Sequence, residues 1–219
     1  FGSNSISIPI STLAGACQRP ANYVGLHFFP PVEEVPLVEI VRGKASSEES
    51  VARAFDFVRS MGKIPIVVKD VWGFYAARVQ NTFILEGIAM LQEGLPPAVI
   101  ENLSRQSGMP RGALELADDL GLEIVLKYEQ LAAEHYGAKY IQHPAVITLS
   151  RMLGEWQRPG KSLNTGFYSY SDEGEKKLWQ QDYSFGNTTI VEETPETIAE
   201  RFLIVQVIEA FWCLQEGVI

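Results

Sequence analysis

The spacing of apolar residues along the chain changes period near Asp70. Before it, β-rich apolar runs at Tyr23–Phe29, Pro36–Val41 and Ile64–Lys69 predict strands. Near the start, "SNSISIPI" (residues 3–10) reads as the end of a buried strand running into a polar turn. Between the last two strands lies "SSEESVARAFDFVRSMGK". Ser46 and Glu49 have capping-box spacing there, and Val51, Ala54, Phe55, Val58 and Met61 share one helical face. Gly62 suits the residue just past the helix end. Strand, helix, strand in this order predicts a parallel crossover unit.

After Asp70 the period becomes helical. "WGFYAARVQNTFILEGIAMLQEG" is apolar nearly all round, which predicts a buried helix. "PPAVIENLSRQSG" has Pro at a helix start and Gly at its end. Further helices are expected over Leu122–His135 and Pro144–Trp156, then a loop at "GKSLNTGFYSYS". Residues 181–192 read as a polar linker, and "TPETIAERFLIVQVIEAFWCLQEG" as a last helix. Trp72, Phe74 and Trp212 are expected in the core.

The last helix repeats the first long one. Laid without gaps, Arg201–Gly217 falls on Arg78–Gly94, so that Arg meets Arg, Glu209 meets Glu86 and "LQEG" meets "LQEG". Two similar buried helices could agree by chance, but the ungapped Arg and Glu favour duplication. Glu86 and Glu209 would then pair with the arginines of the other copy. The expected organisation is an α/β part (1–70), an all-α domain (71–185), and a linker with the first helix of a second copy (186–219). On this reading the chain is a piece of something longer, cut at both ends.

Composition narrows the partners. The 219 residues carry a formal net charge of −9, which disfavours nucleic acid and anionic membranes. It leaves room for a local basic pocket that grips a phosphate. Two cysteines, Cys17 and Cys213, without a pairing pattern fit a reducing compartment. No apolar run has membrane-spanning length, so cytoplasm is the default expectation.

His27 is the first candidate for chemistry. It ends the run "YVGLH", at the C-terminal end of a predicted parallel strand, where open α/β sheets place their ligands. Glu39 sits inside "PLVEIV", where a carboxylate is costly to bury unless paired. A Glu holding one ring nitrogen would leave the other as a general base. A purely structural His–Glu bond at a sheet edge remains open on the residues alone. His135 and His143 read as surface residues, and no cluster has metal-ligand spacing.

Longer motifs add a family. "SNSISIPI", "GLHFFPPV" and "PLVEIV" closely resemble the SNTSSLPI, GLHFFNPV and LVEV patterns of L-3-hydroxyacyl-CoA dehydrogenases. "GKIPIVVKDVWGFYAARV", "GMPRGALELADDLGLE" and "GKSLNTGFYSY" resemble that family's later motifs, in order and at family spacing. The resemblance implies the C-terminal part of a Rossmann-like NAD-binding domain followed by a helical domain covering acyl-CoA. NAD would take the hydride from C3 of a 3-hydroxyacyl-CoA, and His27, oriented by Glu39, the hydroxyl proton. Asn4 would face the nicotinamide or cap a turn. Lys161 would meet a cofactor phosphate or simply be solvated. Gly112 and Gly121 would serve backbone geometry.

Three positions depart from the pattern. The family serine falls on Ile6, its asparagine in GFIVNR on Ala77, and that of HFFNP on Pro30. Ser5 or Ser7 could replace the serine after a small backbone shift. Asn81 lies one helical turn beyond Ala77, roughly 6 Å along the axis. The implied partners are acyl-CoA, a second subunit or tandem duplicate domain, and a fused enoyl-CoA hydratase as in multifunctional fatty-acid oxidation proteins. No GxGxxG occurs, so the chain alone is expected to bind NAD poorly and to be inactive. Two alternatives stand beside this: a degenerate module kept as an acyl-CoA-binding scaffold, and a dehydrogenase of another 3-hydroxy acid.

Overall fold

The computed structural model describes residues 1–5, 8–29, 31–183 and 194–219. Ile6, Ser7, Pro30 and most of the predicted linker lie outside the described residues. The chain forms two compact units, Phe1–Arg78 with Ala210–Ile219, and Val79–Glu209.

The first unit is built on a four-stranded sheet, β1 (Gly2–Ser3), β2 (Val24–Phe28), β3 (Leu37–Arg42) and β4 (Ile64–Lys69), in that spatial order. The crossover unit forms as expected: β3 and β4 are parallel and joined through α2 (Glu48–Ser60). β2 is different. It runs parallel to β1 but antiparallel to β3, so His27 is not on a strand of an all-parallel sheet. The connection over residues 29–36 is too short for a crossover, which needs a dozen or more residues.

Side chains alternate across β3. Val38 and Ile40 pack with Val24, Val51, Ala54 and Val58, while Val41 on the other face packs with Ile10, Val68 and Phe74. Glu39 shares the second face.

Local details of α2 correct the expected cap. Ser47, not Ser46, is the N-cap, its hydroxyl accepting the Ser50 N–H at 3.2 Å. Ser46 instead donates to the Tyr23 carbonyl and accepts the Gly43 N–H, tying loop to sheet. Met61 lies past the helix end and is exposed rather than on the buried face. Of the stretch 3–10, Ser3 pairs in β1, Ser5 turns back on Ile8, and a short helix, α1 (Ile10–Gly15), begins at Ile10. Asp70 holds that helix from sixty residues away, its two oxygens accepting the Ile10 and Ser11 N–H groups at 2.9 and 2.6 Å.

The second unit is helical: α3 (Ala76–Gln92), α4 (Pro97–Gln106), α5 (Ala113–Leu120), α6 (Leu122–Tyr136), α7 (Ala145–Gly154) and most of α8 (Pro195–Gln215). The predicted loop near Lys161 contains a strand, β5 (Tyr168–Tyr170), hairpinned to β6 (Lys176–Leu178). The core gathers Phe83, Ile84, Leu85, Ile88 and Leu91 of α3 with residues of α4–α7 and Phe202 of α8.

α3 and α8 end alike. Gly94 and Gly217 both take positive φ, and the next residue returns its N–H to the helix, Leu95 to Met90 O and Val218 to Cys213 O. Their outer faces differ. Trp212, expected in the core, is exposed, as are Ile204, Val207, Ile208 and Phe211.

A candidate active site around His27

Cross-strand register puts His27 directly opposite Glu39. His27 Nδ1 and Glu39 Oε2 are 2.7 Å apart, with His27 7% exposed and Glu39 0%. At zero exposure a lone carboxylate would be untenable, so its other oxygen matters. Glu39 Oε1 accepts two backbone N–H groups, from Tyr75 at 2.9 Å and Ala76 at 2.8 Å, at the N-terminus of α3. Donors of this kind favour the ionised carboxylate, and the helix dipole adds to them. A carboxylate on Nδ1 fixes the imidazole tautomer, with the proton on that nitrogen. Nε2 has no hydrogen-bond partner among the described residues.

Two aromatic rings flank the imidazole. The Phe29 centroid lies 4.3 Å away and Phe74 meets it edge-on at 5.7 Å. Phe74 is buried with φ of +52°, right after Gly73 at +65°. A bulky side chain in the left-handed region stores about 1–3 kcal/mol of strain. Gly73 tolerates its own angle, and a Cβ there would meet Arg78 Cγ at 2.9 Å. The sequence reading began the helix at "WGF", whereas α3 starts at Ala76, and nothing in that motif signalled that Phe74 would be left-handed or that the next two amides would find Glu39.

The other sequence candidates divide. Asn4 accepts the Phe28 N–H through Oδ1 at 3.0 Å, extending the β1–β2 ladder by its side chain. Ser5 turns its hydroxyl onto Ile8, accepting its N–H at 3.1 Å. Ser7 lies outside the described residues. Ala77 is buried. In the second unit, Asn81 donates to Glu129 Oε1 at 3.1 Å, and the Tyr140 hydroxyl donates to Glu129 Oε2 at 2.9 Å. Burial pushes the Glu129 carboxyl above its usual range, and burial with Glu129 beside it pushes the Tyr140 phenol up to about 12. Lys161 is neither free nor merely solvated: its ammonium meets Asp119 Oδ1 at 2.8 Å. His135 is exposed as expected, but His143 is partly buried, its Nδ1 accepting the Ala145 N–H, and burial lowers its pKa.

Two more buried carboxylates fasten the second unit. Glu101 Oε1 accepts the Leu114 and Glu115 N–H groups while Oε2 takes the Tyr168 hydroxyl at 2.6 Å. Asp118 accepts the Phe167 and Tyr168 N–H groups and the Tyr170 hydroxyl, and burial still pushes its carboxyl up to about 6.

Comparison with known proteins gives the family. Residues 1–71 match the model of the 3-hydroxyacyl-CoA dehydrogenase NAD binding domain, and residues 73–170 that of the 3-hydroxyacyl-CoA dehydrogenase C-terminal domain. The fatty acid oxidation complex subunit alpha of Shewanella loihica is 34% identical over all of this chain, and that of Vibrio cholerae likewise. The chain spans 31% of the length of the Shewanella relative. Among solved structures, (S)-3-hydroxybutyryl-CoA dehydrogenase PaaH1 from Ralstonia eutropha is 31% identical with a TM-score of 0.70, covering 78% of this chain and 60% of that one. The dehydrogenase part of multifunctional enzyme 1 from C. elegans covers 100% of this chain and 50% of its own, at 25% identity and a TM-score of 0.69. With both domain models matched in order over most of its length, the chain belongs to the 3-hydroxyacyl-CoA dehydrogenase family.

Proposed function

We propose that the protein containing this chain oxidises 3-hydroxyacyl-CoA to 3-ketoacyl-CoA in fatty-acid β-oxidation, with His27 as general base. One observation carries the reading. His27 is held on Nδ1 by a buried carboxylate whose other oxygen is saturated by two amides, while Nε2 is left to act. Nε2 takes the proton of the substrate's 3-hydroxyl, and Glu39 stabilises the imidazolium that results. NAD+, when bound, would supply the hydride acceptor. Of that cofactor these residues fit the nicotinamide end: among the described residues Asn4 spends only its Oδ1, on Phe28, which leaves its amide NH2 to meet a carboxamide. Lys161, already paired with Asp119, is not assigned to it. Ser5 is likewise committed to Ile8, and Asn81 commits its amide NH2 to Glu129 while its buried Oδ1 takes no partner among the described residues. The full-length gene product should consume NADH with acetoacetyl-CoA, and His27→Ala should slow it about 10²- to 10⁴-fold. Unchanged turnover in that variant would refute the reading, and tight acyl-CoA binding without any turnover would favour a scaffold instead.

We further infer that α8 opens a second copy of the helical domain. Within the first unit Arg78 pairs with Glu216 at 2.7 Å, and within the second Arg201 pairs with Glu93 at 2.7 Å. Arg201 is the repeat position of Arg78, and Glu216 that of Glu93, so the two ion pairs are equivalent under the repeat. Arg201 also takes Glu86, the expected partner. The exposed Val207, Ile208 and Phe211 correspond to Ile84, Leu85 and Ile88, which are buried on α3. That supports a further helical body, in tandem or from a second subunit, covering α8 as α4–α7 cover α3. A fused enoyl-CoA hydratase and a cytoplasmic setting complete the proposal. No helix among the described residues is long and apolar enough to cross a membrane.

A further inference from the structure

The least comfortable residue of the first unit stands beside its most polar one. Phe74 is 2% exposed, has φ of +52°, and is followed by the two amides that hold Glu39. Backbone strain of this kind persists only where the surroundings over-determine it, and it gathers at sites that need fixed geometry. The surroundings are specific. Phe74 packs against Ile10, Val41 and Val68, and its own N–H closes a turn on the Val71 carbonyl at 3.3 Å. An extended or right-handed Phe74 would aim the following two N–H groups elsewhere, because both lie immediately downstream of the reversed angle.

We propose that Phe74 is a positioning residue: its left-handed backbone delivers the Tyr75 and Ala76 amides onto Glu39, and so fixes the carboxylate that orients His27. The inference rests on the dehydrogenase reading for its consequence in turnover, but not for the geometry itself. Glu39 could swing about its side-chain torsions if Oε1 were unheld, and Oε2 would lose its fixed place on Nδ1. The imidazole would then sample other tautomers and orientations. Among the described titratable residues, Tyr75 follows on the same turn, with Cys213 of α8 beside it.

Backbone and ring are separable. Phe74→Gly keeps the left-handed angle at no steric cost and removes the ring, whereas Phe74→Val keeps apolar bulk but cannot hold φ above zero. Phe74→Tyr keeps both. In the full-length gene product, imidazole NMR should show the His27 Nδ1–H proton far downfield in the wild type, in Phe74→Tyr and in Phe74→Gly, and should lose it in Phe74→Val. With acetoacetyl-CoA and NADH, Phe74→Val should lower kcat about 10²-fold with KM little changed, the loss expected of a displaced catalytic group. Phe74→Gly should keep most of kcat. A signal lost in Phe74→Gly but kept in Phe74→Val would overturn the proposal, leaving the ring as a wall and the angle as incidental. If Phe74→Val does not fold, Phe74→Gly decides alone: retention of the downfield proton supports the turn, its loss overturns it. The dehydrogenase reading fails differently, by His27→Ala leaving turnover intact while the NMR pattern still follows the Phe74 series.

Discussion

Glu39 in the first unit and Glu101 in the second are caught by the same device. Each gives one carboxylate oxygen to two successive backbone N–H groups at the start of a helix, α3 for Glu39 and α5 for Glu101. They differ in what meets the second oxygen. For Glu101 it is the Tyr168 hydroxyl, with the Arg105 guanidinium at 3.4 Å, and the phenol's pKa is driven far up by burial and by that carboxylate, so the bond is inert near neutral pH. For Glu39 it is an imidazole, which keeps a second nitrogen. The same anchor therefore builds a staple in one unit and, on the proposed function, a proton-transfer pair in the other. Burial of a carboxylate marks neither role; its second partner does.

The comparison can be broken most sharply at His27. His27→Ala should cost about 10²- to 10⁴-fold in kcat in the full-length protein, the usual range for a general base, and about 1–3 kcal/mol of stability because the buried Glu39 Oε2 loses its partner. Next is the staple. Glu101→Ala strands two amides and a tyrosine hydroxyl and should cost about 1–3 kcal/mol for each group left unsatisfied, read in urea melts. If Glu101→Ala instead spared stability and removed turnover, the two roles would be reversed. Gly112→Ala tests the same staple from below, since its Cβ would lie 2.2 Å from Glu101 Oε2. A loss of about 1–3 kcal/mol is expected from such overpacking.

Asp118 sharpens the contrast through pH. Its carboxyl is raised to about 6, so the folded state binds a proton more tightly than the unfolded chain does. Stability from this group is fully present below the ordinary Asp range and is lost as pH rises through about 6. Asp118→Asn should remove that part of the pH dependence of the melting midpoint, whatever it does to the midpoint itself. The smallest effect belongs to α8. Phe211→Ser should shift the stability of this chain by no more than about 0.5 kcal/mol, since the ring is already exposed. A larger loss would mean that the α8 face is already covered, by self-association for example.

Much of the fold was legible because local pattern repeats. The β3–α2–β4 crossover, the buried α3 and the ends of α3 and α8 all follow from periods and caps that act within a few residues. The unread helix α1 and the cap misassigned to Ser46 share one reason. Asp70 and Tyr23 are distant in sequence, and they decide those local conformations. Trp212 failed because an apolar helix says that a face must be covered without saying by what.

The sequence by itself determined that a histidine and a glutamate would stand on adjacent strands of an α/β sheet, since their spacing and the apolar runs around them leave few other arrangements. Only the tertiary structure decided that β2 and β3 run antiparallel in the register that makes them meet, and that the amides after a left-handed Phe74 complete the carboxylate's bonds. Periodicity is written in neighbours a few residues apart. A buried charge is satisfied by whatever the fold brings to it, and that is a property of the whole chain.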